Sequence, residues 1–293
     1  MTLARSVILN AHPNGAFHCM SRCVRRAFLC GYDRQTGASY SHRRRWIVER
    51  IELLARSFSV SIHAYAIMEN HFHIVLQMDQ DRAAGWNERE VVQRWLAIYP
   101  GRSGTSARAD AEAERLLSEP GRVETLRARL ANLSWFMRNL KEYIARRANR
   151  EDGCTGHFWE GRFKSQAILD DRSLLDSMIY VDLNPVRAGM AVEVDDCEFT
   201  SGPLQKARLR RARDPTTELL TPVLGQVIPM PVTLAAYIAR LDQRASSMHP
   251  PFSRTWRRAI GSVTALRELA IRLGQRWIKG YRAAGARPSD HPV

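Results

Sequence analysis

Tyr65-Ala66-Ile67-Met68-Glu69-Asn70-His71-Phe72-His73-Ile74-Val75-Leu76-Gln77 places two runs of strand-forming residues on either side of a Glu-Asn turn. Side chains alternate faces along a strand, so His71 and His73 point the same way and Phe72 points into the opposite layer. Two imidazoles about 7 Å apart on one strand face can converge on one divalent cation. The plainer account of a His-x-His is two polar positions on the wet face of a half-buried strand. Taken alone, the motif favours that account. A second constellation downstream supplies what a metal site on this strand lacks.

That second stretch is Ser173-Leu174-Leu175-Asp176-Ser177-Met178-Ile179-Tyr180-Val181-Asp182-Leu183-Asn184-Pro185-Val186-Arg187-Ala188-Gly189. Leu174, Leu175, Met178 and Ile179 recur at helical spacing, and Asp170 or Asp171 can cap the start. Tyr180 and Asn184, four apart, share a face of that helix. Pro185 biases Asn184 away from helical geometry, so the helix is predicted to end there with the pair on its last turn. A phenol becomes a nucleophile toward phosphate when a metal stabilises the charge that develops, and Asn184 offers a neutral oxygen donor to such an ion. A Tyr packed on the core and an Asn closing the helix is the alternative, and the stretch by itself leaves it open.

Together the two stretches resemble the single-tyrosine HUH transposases, and within them the REP-associated tyrosine transposases. The matching pieces are Tyr65 to Met68 with Asn70-His71-Phe72-His73, then Gly156-His157-Phe158-Trp159-Glu160-Gly161-Arg162-Phe163-Lys164-Ser165, then Tyr180 to Gly189. The resemblance covers about residues 17–191. It implies a ferredoxin-like α+β domain, an antiparallel sheet with helices on one face, that cuts single-stranded or hairpin DNA. It also implies Mg²⁺ or Mn²⁺ as cofactor, a 5′-phosphotyrosine link and a free 3′-OH. His71 and His73 match the family's metal pair, Tyr180 its nucleophile, and Asn184 the polar residue one turn on that helps to hold the metal.

The chain has 293 residues, 45% of them hydrophobic, which is room and apolar content for one large or two modest domains. No apolar run reaches the roughly 20 residues that span a bilayer, and the first residues lack a signal-peptide pattern. Five cysteines, odd in number and irregularly spaced, fit reduced thiols in a cytoplasmic, nucleoid-associated protein better than a disulfide framework. Net charge is +14 and the pI near 10.2, which points to a polyanionic partner. Residues 201–293 hold 16 of the 44 Lys+Arg but only 5 of the 30 Asp+Glu. The organisation predicted is therefore a catalytic domain over 1–200 and a basic accessory region over 201–293, active as a monomer or homodimer.

In chain order, residues 1–15 read as an irregular leader and Ala16 to Cys23 as a first strand. On that strand His18 is taken as a face histidine rather than a ligand, and Arg22 and Arg25 follow as DNA contacts. Residues 41–57 form an amphipathic helix, Ser59 to Met68 the next strand, and His71 onward its hairpin partner. Residues 79–132 read as a helical insertion. Val123, Leu126, Leu130, Leu133, Met137, Leu140 and Ile144 then step by three and four, predicting one long helix. Its Arg138, Lys141 and Arg147 suit DNA backbone, while Tyr143 on it is a rival nucleophile disfavoured by Arg147 four residues on. In the block from Gly156, Trp159, Arg162 and Lys164 interleave aromatic and basic character, as stacking on unpaired bases requires. Core anchoring of Phe158 and Trp159 explains the aromatics equally well. Phe163 to Leu169 reads as the last strand, and Arg187 beyond Tyr180 joins the DNA-contact set. Past Ala191 a turn-rich basic stretch through Lys206 to Arg213 and short helices at Leu234 to Leu241, Trp256 to Ile260 and Thr264 to Tyr281 are expected, with disorder after about Ala284. A second functional class stays open: a non-catalytic single-stranded nucleic-acid binder on the same sheet.

Overall fold

The computed structural model describes residues 5–24, 29–100, 106–247, 257–276 and 278. Its first element corrects the expectation of an irregular leader. Arg5–Ala11 is a helix, α1, whose Ile8 is buried in the core ahead of strand β1 (Ala16–Arg22). Helix α2 (Arg43–Ser57) follows; its Ile47, Ile51 and Leu54 recur at helical spacing and are fully buried. Strands β2 (Val60–Ile67) and β3 (His71–Met78) form the hairpin, closed by a Met68 N–H donating to the His71 carbonyl at 2.8 Å.

The insertion contains α3 (Gln80–Ala84), α4 (Glu88–Ile98), α5 (Ser106–Ser118) and α6 (Arg122–Leu130), and α7 (Leu133–Glu151) follows. The single long helix predicted from Val123 to Ile144 is thus two. Asn132 interrupts it with extended backbone, and its side-chain oxygen accepts from the N–H groups of Ser134 and Trp135, capping α7. The apolar seam runs on across the break, which is why periodicity hid it.

Strand β4 (Lys164–Ile168) and α8 (Asp171–Asp182) complete the predicted order, and a single turn α9 (Asn184–Arg187) continues through Pro185, where the helix was expected to end, because proline is accommodated in a first helical turn. Residues beyond depart from expectation. The basic stretch read as turn-rich is helix α10 (Gly202–Arg211), and β5 (Leu224–Gly225), α11 (Leu234–Ser247), β6 (Ala259–Ile260) and α12 (Val263–Arg272) come after it. So β4 is not the last strand, and Ala259 and Ile260 belong to a strand where a helix was expected. Helix α12 stops short of Tyr281 because Gly274, at φ 62, takes the left-handed conformation that ends a helix. Tyr281 itself, Trp256 and the segment after Ala284 lie outside the described residues.

The sheet order is β5-β2-β3-β1-β4-β6. Its four central strands are antiparallel throughout, which with the crossovers through α2 and α7 is the ferredoxin-like α+β arrangement. The outer strands come from the C-terminal third. Strand β5 pairs with β2 through Gly225, where a Cβ would stand 2.4 Å from the Val60 carbonyl oxygen, and β6 runs parallel to β4. Helices α2 and α7 cover one face, packing Ile47, Leu54, Phe136 and Leu140 against Phe17, Phe72 and Ile74. The other face receives α8 and α11, with Met178, Ile179 and Tyr237 over Ala64, Ala66 and Val75. Among the described residues no helix is long and apolar enough to cross a membrane.

Candidate active site on the His-x-His face of the sheet

Alternation on three neighbouring strands assembles a polar stripe. On β3, His71 and His73 share a face; across β1 their direct partners are Arg22 and Met20, which puts His18 on the same face one step along. Across β4, His18 stands opposite Gln166 and Met20 opposite Lys164. Phe72 points the other way, edge-on to Trp159, as the alternation predicts. The stripe is tight: the His71 and His73 ring centroids are 4.9 Å apart, and His18 Nε2 is 2.8 Å from His73 Nδ1.

Helix α8 closes over this stripe. Asp170 caps its start by accepting from the Ser173 N–H at 2.8 Å, and Leu174, Leu175, Met178 and Ile179 bury its inner face. That packing brings the half-buried Tyr180 down on the histidines, its ring 5.8 Å from both His18 and His73 in edge-on contact. Asn184 begins the next turn and donates from Nδ2 to the Tyr180 carbonyl at 3.2 Å, leaving Oδ1 for another partner. The Arg187 guanidinium lies 5.9 Å from the Tyr180 ring. On the inner side of the same helix Asp182 is fully buried and accepts from the Ser201 and Tyr237 hydroxyls and the Gly202 N–H. Burial nevertheless pushes its carboxyl up to about 7, since those three donors only partly replace lost water.

The imidazoles suit a cation. Burial, with Arg22 nearby, lowers the His71 pKa to about 4; burial and the adjacent His18, His71 and Arg22 hold His73 well below its ordinary value. Both are therefore neutral near pH 7, the form that ligates a metal. One nitrogen of each is already held by a neighbour: His71 Nδ1 is 2.6 Å from Asn70 Oδ1, and His73 Nδ1 faces His18. Each Nε2 remains, which is how outer-shell partners orient histidine ligands. No group of three His, Cys, Asp or Glu side chains arranged for a metal occurs among the described residues, so the remaining donors would be neutral oxygens such as Asn184 Oδ1.

The DNA-contact candidates divide by location. Arg22 and Lys164 are exposed on the histidine face, and Arg187 is at Tyr180. Arg25 lies outside the described residues. Arg138, Lys141 and Arg147 are on α7, across the sheet from Tyr180, and Arg162 shares a cleft there with Arg138 and Lys141. Arg138 pairs with Glu142 at 3.4 Å, Lys141 donates to the Gly161 carbonyl at 2.7 Å, and Arg147 donates to the Tyr143 hydroxyl at 2.7 Å. Trp159 is half-buried, packs edge-on against Phe72 and Phe158, and donates from Nε1 to the Lys141 carbonyl at 2.9 Å. These contacts tie the ring to the core. Two further members join the stripe, His18, read from sequence as a face histidine, and Gln166, which no sequence signal marks; their adjacency to His73 exists only once strand register is known.

No family model matches this chain, and no curated protein matches it. Among solved structures, one described as that of "the REP associates tyrosine transposase bound to a REP hairpin" is similar over 75% of this chain and 91% of its own, with 15% identity and a TM-score of 0.41.

Proposed function

We propose that this protein is a metal-dependent nuclease and strand transferase acting on single-stranded DNA at hairpin-associated sites, with Tyr180 as its nucleophile. The observation that supports it most is the seating of the Tyr180 ring 5.8 Å from His73, on the sheet face that His71 shares. Tyr143, the rival nucleophile, is on the other face with its hydroxyl bonded by Arg147.

In this reading His71, His73 and Asn184 hold Mg²⁺ or Mn²⁺. When bound, the cation supplies Lewis acidity that draws charge from the scissile phosphate. Nitrogen donors favour Mn²⁺, because Mg²⁺ prefers oxygen ligands and keeps its waters. Tyr180 loses its phenolic proton to solvent and its oxygen bonds to phosphorus. The bond from phosphorus to the 3′ oxygen breaks, and that oxygen leaves as a hydroxyl after taking up a proton. The 5′ side stays on Tyr180 as a phosphotyrosine, and the reverse attack by a 3′-OH rejoins a strand without ATP. Arg22, Lys164 and Arg187 neutralise phosphates beside the cut. Residues 1–200 form the catalytic unit, and the basic 201–293 region braces it and adds contacts to DNA.

The test is a denaturant-resistant protein–DNA adduct on labelled hairpin oligonucleotides with Mn²⁺ or Mg²⁺. Tyr180→Phe and His71→Ala are expected to abolish it while Tyr143→Phe retains it. Tight binding with no adduct from the wild type on any substrate would make the chain a non-catalytic binder instead.

A further inference from the structure

The cleft between α2, α4 and α7, on the side of the sheet away from Tyr180, encloses about 570 Å³ and is lined by Arg50, Tyr99, Tyr143, Arg146, Arg147 and Arg150 among others. Arg50 is the informative member. It is 9% exposed, its guanidinium packs 4.7 Å from the Tyr143 ring centroid, and its Nε has no hydrogen-bond partner. A guanidinium cannot shed its charge at physiological pH, so a buried one without a carboxylate partner is costly. The surroundings add positive charge. Arg147 stacks 4.0 Å from the Trp46 ring and donates to Tyr143, while Arg146 and Arg150 stand exposed at the mouth. Glu142, the acidic residue in the lining, is already paired with Arg138 and Arg146. Among the described residues no carboxylate pairs with Arg50, Arg147 or Arg150. Burial of Arg50 acts in the same direction, holding its pKa below the ordinary arginine value.

We infer that this cleft is a phosphate-binding site that takes one backbone phosphate of a DNA strand running along α7. Several guanidinium groups lining one cleft match a phosphate better than a carboxylate, since a phosphate offers more acceptor oxygens to separate forks. A strand is favoured over a small ligand because α7 continues the positive charge out of the cleft. Arg138 and Lys141 lie two to three turns before Arg150 on the same helix and share the next cleft with Arg162. The site stands apart from the proposed chemistry, as it requires neither Tyr180 nor a metal.

It is tested by anisotropy titrations of fluorescent hairpin and single-stranded oligonucleotides in EDTA, at several salt concentrations. Arg150→Ala, at the exposed mouth, and Arg50→Gln, in the interior, are each compared with Arg115→Ala, exposed on α5, as a control for lost charge. The expected result is a 5- to 20-fold weaker affinity for both cleft variants, independent of sequence, with the salt slope reduced by about one. Thermal melting distinguishes a misfolded Arg50→Gln from a folded one, and Arg150→Ala carries the test if it misfolds. Equal losses in Arg150→Ala and Arg115→Ala, or none, would overturn the site. A parallel calorimetric titration with inorganic phosphate and adenosine monophosphate identifies the source. Nucleotide binding that vanishes in the cleft variants while DNA affinity is unchanged would overturn the strand assignment in favour of a free nucleotide.

Discussion

His18 Nε2 sits 2.8 Å from His73 Nδ1, and this contact sets which nitrogen of His73 is free. Gln166 donates its amide Nε2–H to the Arg257 carbonyl at 3.0 Å, which leaves its oxygen for the hydrogen bond it makes with His18. His18 then donates its ring N–H to the Gln166 amide oxygen and accepts at Nε2 from His73 Nδ1–H. The lone pair of His73 is thereby fixed at Nε2. A residue that looked like an ordinary face position would orient His73 as a metal ligand in the proposed site.

His18→Ala should therefore weaken Mn²⁺ binding by roughly 10- to 100-fold, the usual cost of removing an outer-shell partner of a ligating histidine. Titration followed by the electron paramagnetic resonance of free Mn²⁺ measures it without reference to activity. His18→Gln, which retains an acceptor, should recover part of the loss. Unchanged affinity in His18→Ala with a native melting curve would remove the orienting role.

The buried Asp182 makes stability depend on pH. Its folded pKa of about 7 lies above the ordinary carboxylate value, so the folded state holds a proton that the unfolded chain has lost. This contribution is fully present below about pH 4 and is lost as pH rises to about 7. The difference in melting temperature between wild type and Asp182→Asn should accordingly shift between pH 4 and 7, against the wild type at the higher pH, by the equivalent of at least about 2 kcal/mol. A difference flat in pH would place the carboxyl in its ionised form throughout.

Trp159→Ala tests whether the ring stacks on bases or holds the core together. Its contacts with Phe72 and Phe158 and its hydrogen bond to Lys141 predict a loss of about 3 kcal/mol in stability, seen in denaturant unfolding. Full stability with weakened DNA binding would reverse the assignment.

Arg43 is fully buried at the start of α2 and is clamped by Glu151 and Asp152 at the end of α7. Arg43→Ala leaves two carboxylates without their cation and opens a void, and should cost about 3 to 5 kcal/mol. Chemical denaturation of the purified variant reads this directly.

The parts of the fold that were legible share a strong local signal. The Tyr65–Gln77 hairpin, α2 and the Tyr180 helix carry alternation or helical spacing over whole elements, and the central sheet order follows from them. The two-residue strands β5 and β6 carry no period at all; distant edges of the sheet define them. Helix α10 was obscured by Gly202 and Pro203, which sit harmlessly in its first turn. In the site, a shared face for His71 and His73 could be read from alternation. The proximity of Tyr180 to that face could be had only by resemblance, and the His18–Gln166 support depends on a register that no single strand encodes. At Trp159 composition fits a stacking surface, while the ring's contacts with Phe72 and Phe158 fit a place in the core.

The two short outer strands have a consequence for biosynthesis. A ribosome that has finished Tyr180 and Asn184 has produced every residue proposed for catalysis, yet both flanks of the sheet still expose unpaired backbone groups. Those flanks are covered only when residues near 225 and then near 260 emerge. Translation that stops early would leave a ribbon with two sticky margins, prone to association with its neighbours, rather than a smaller stable domain.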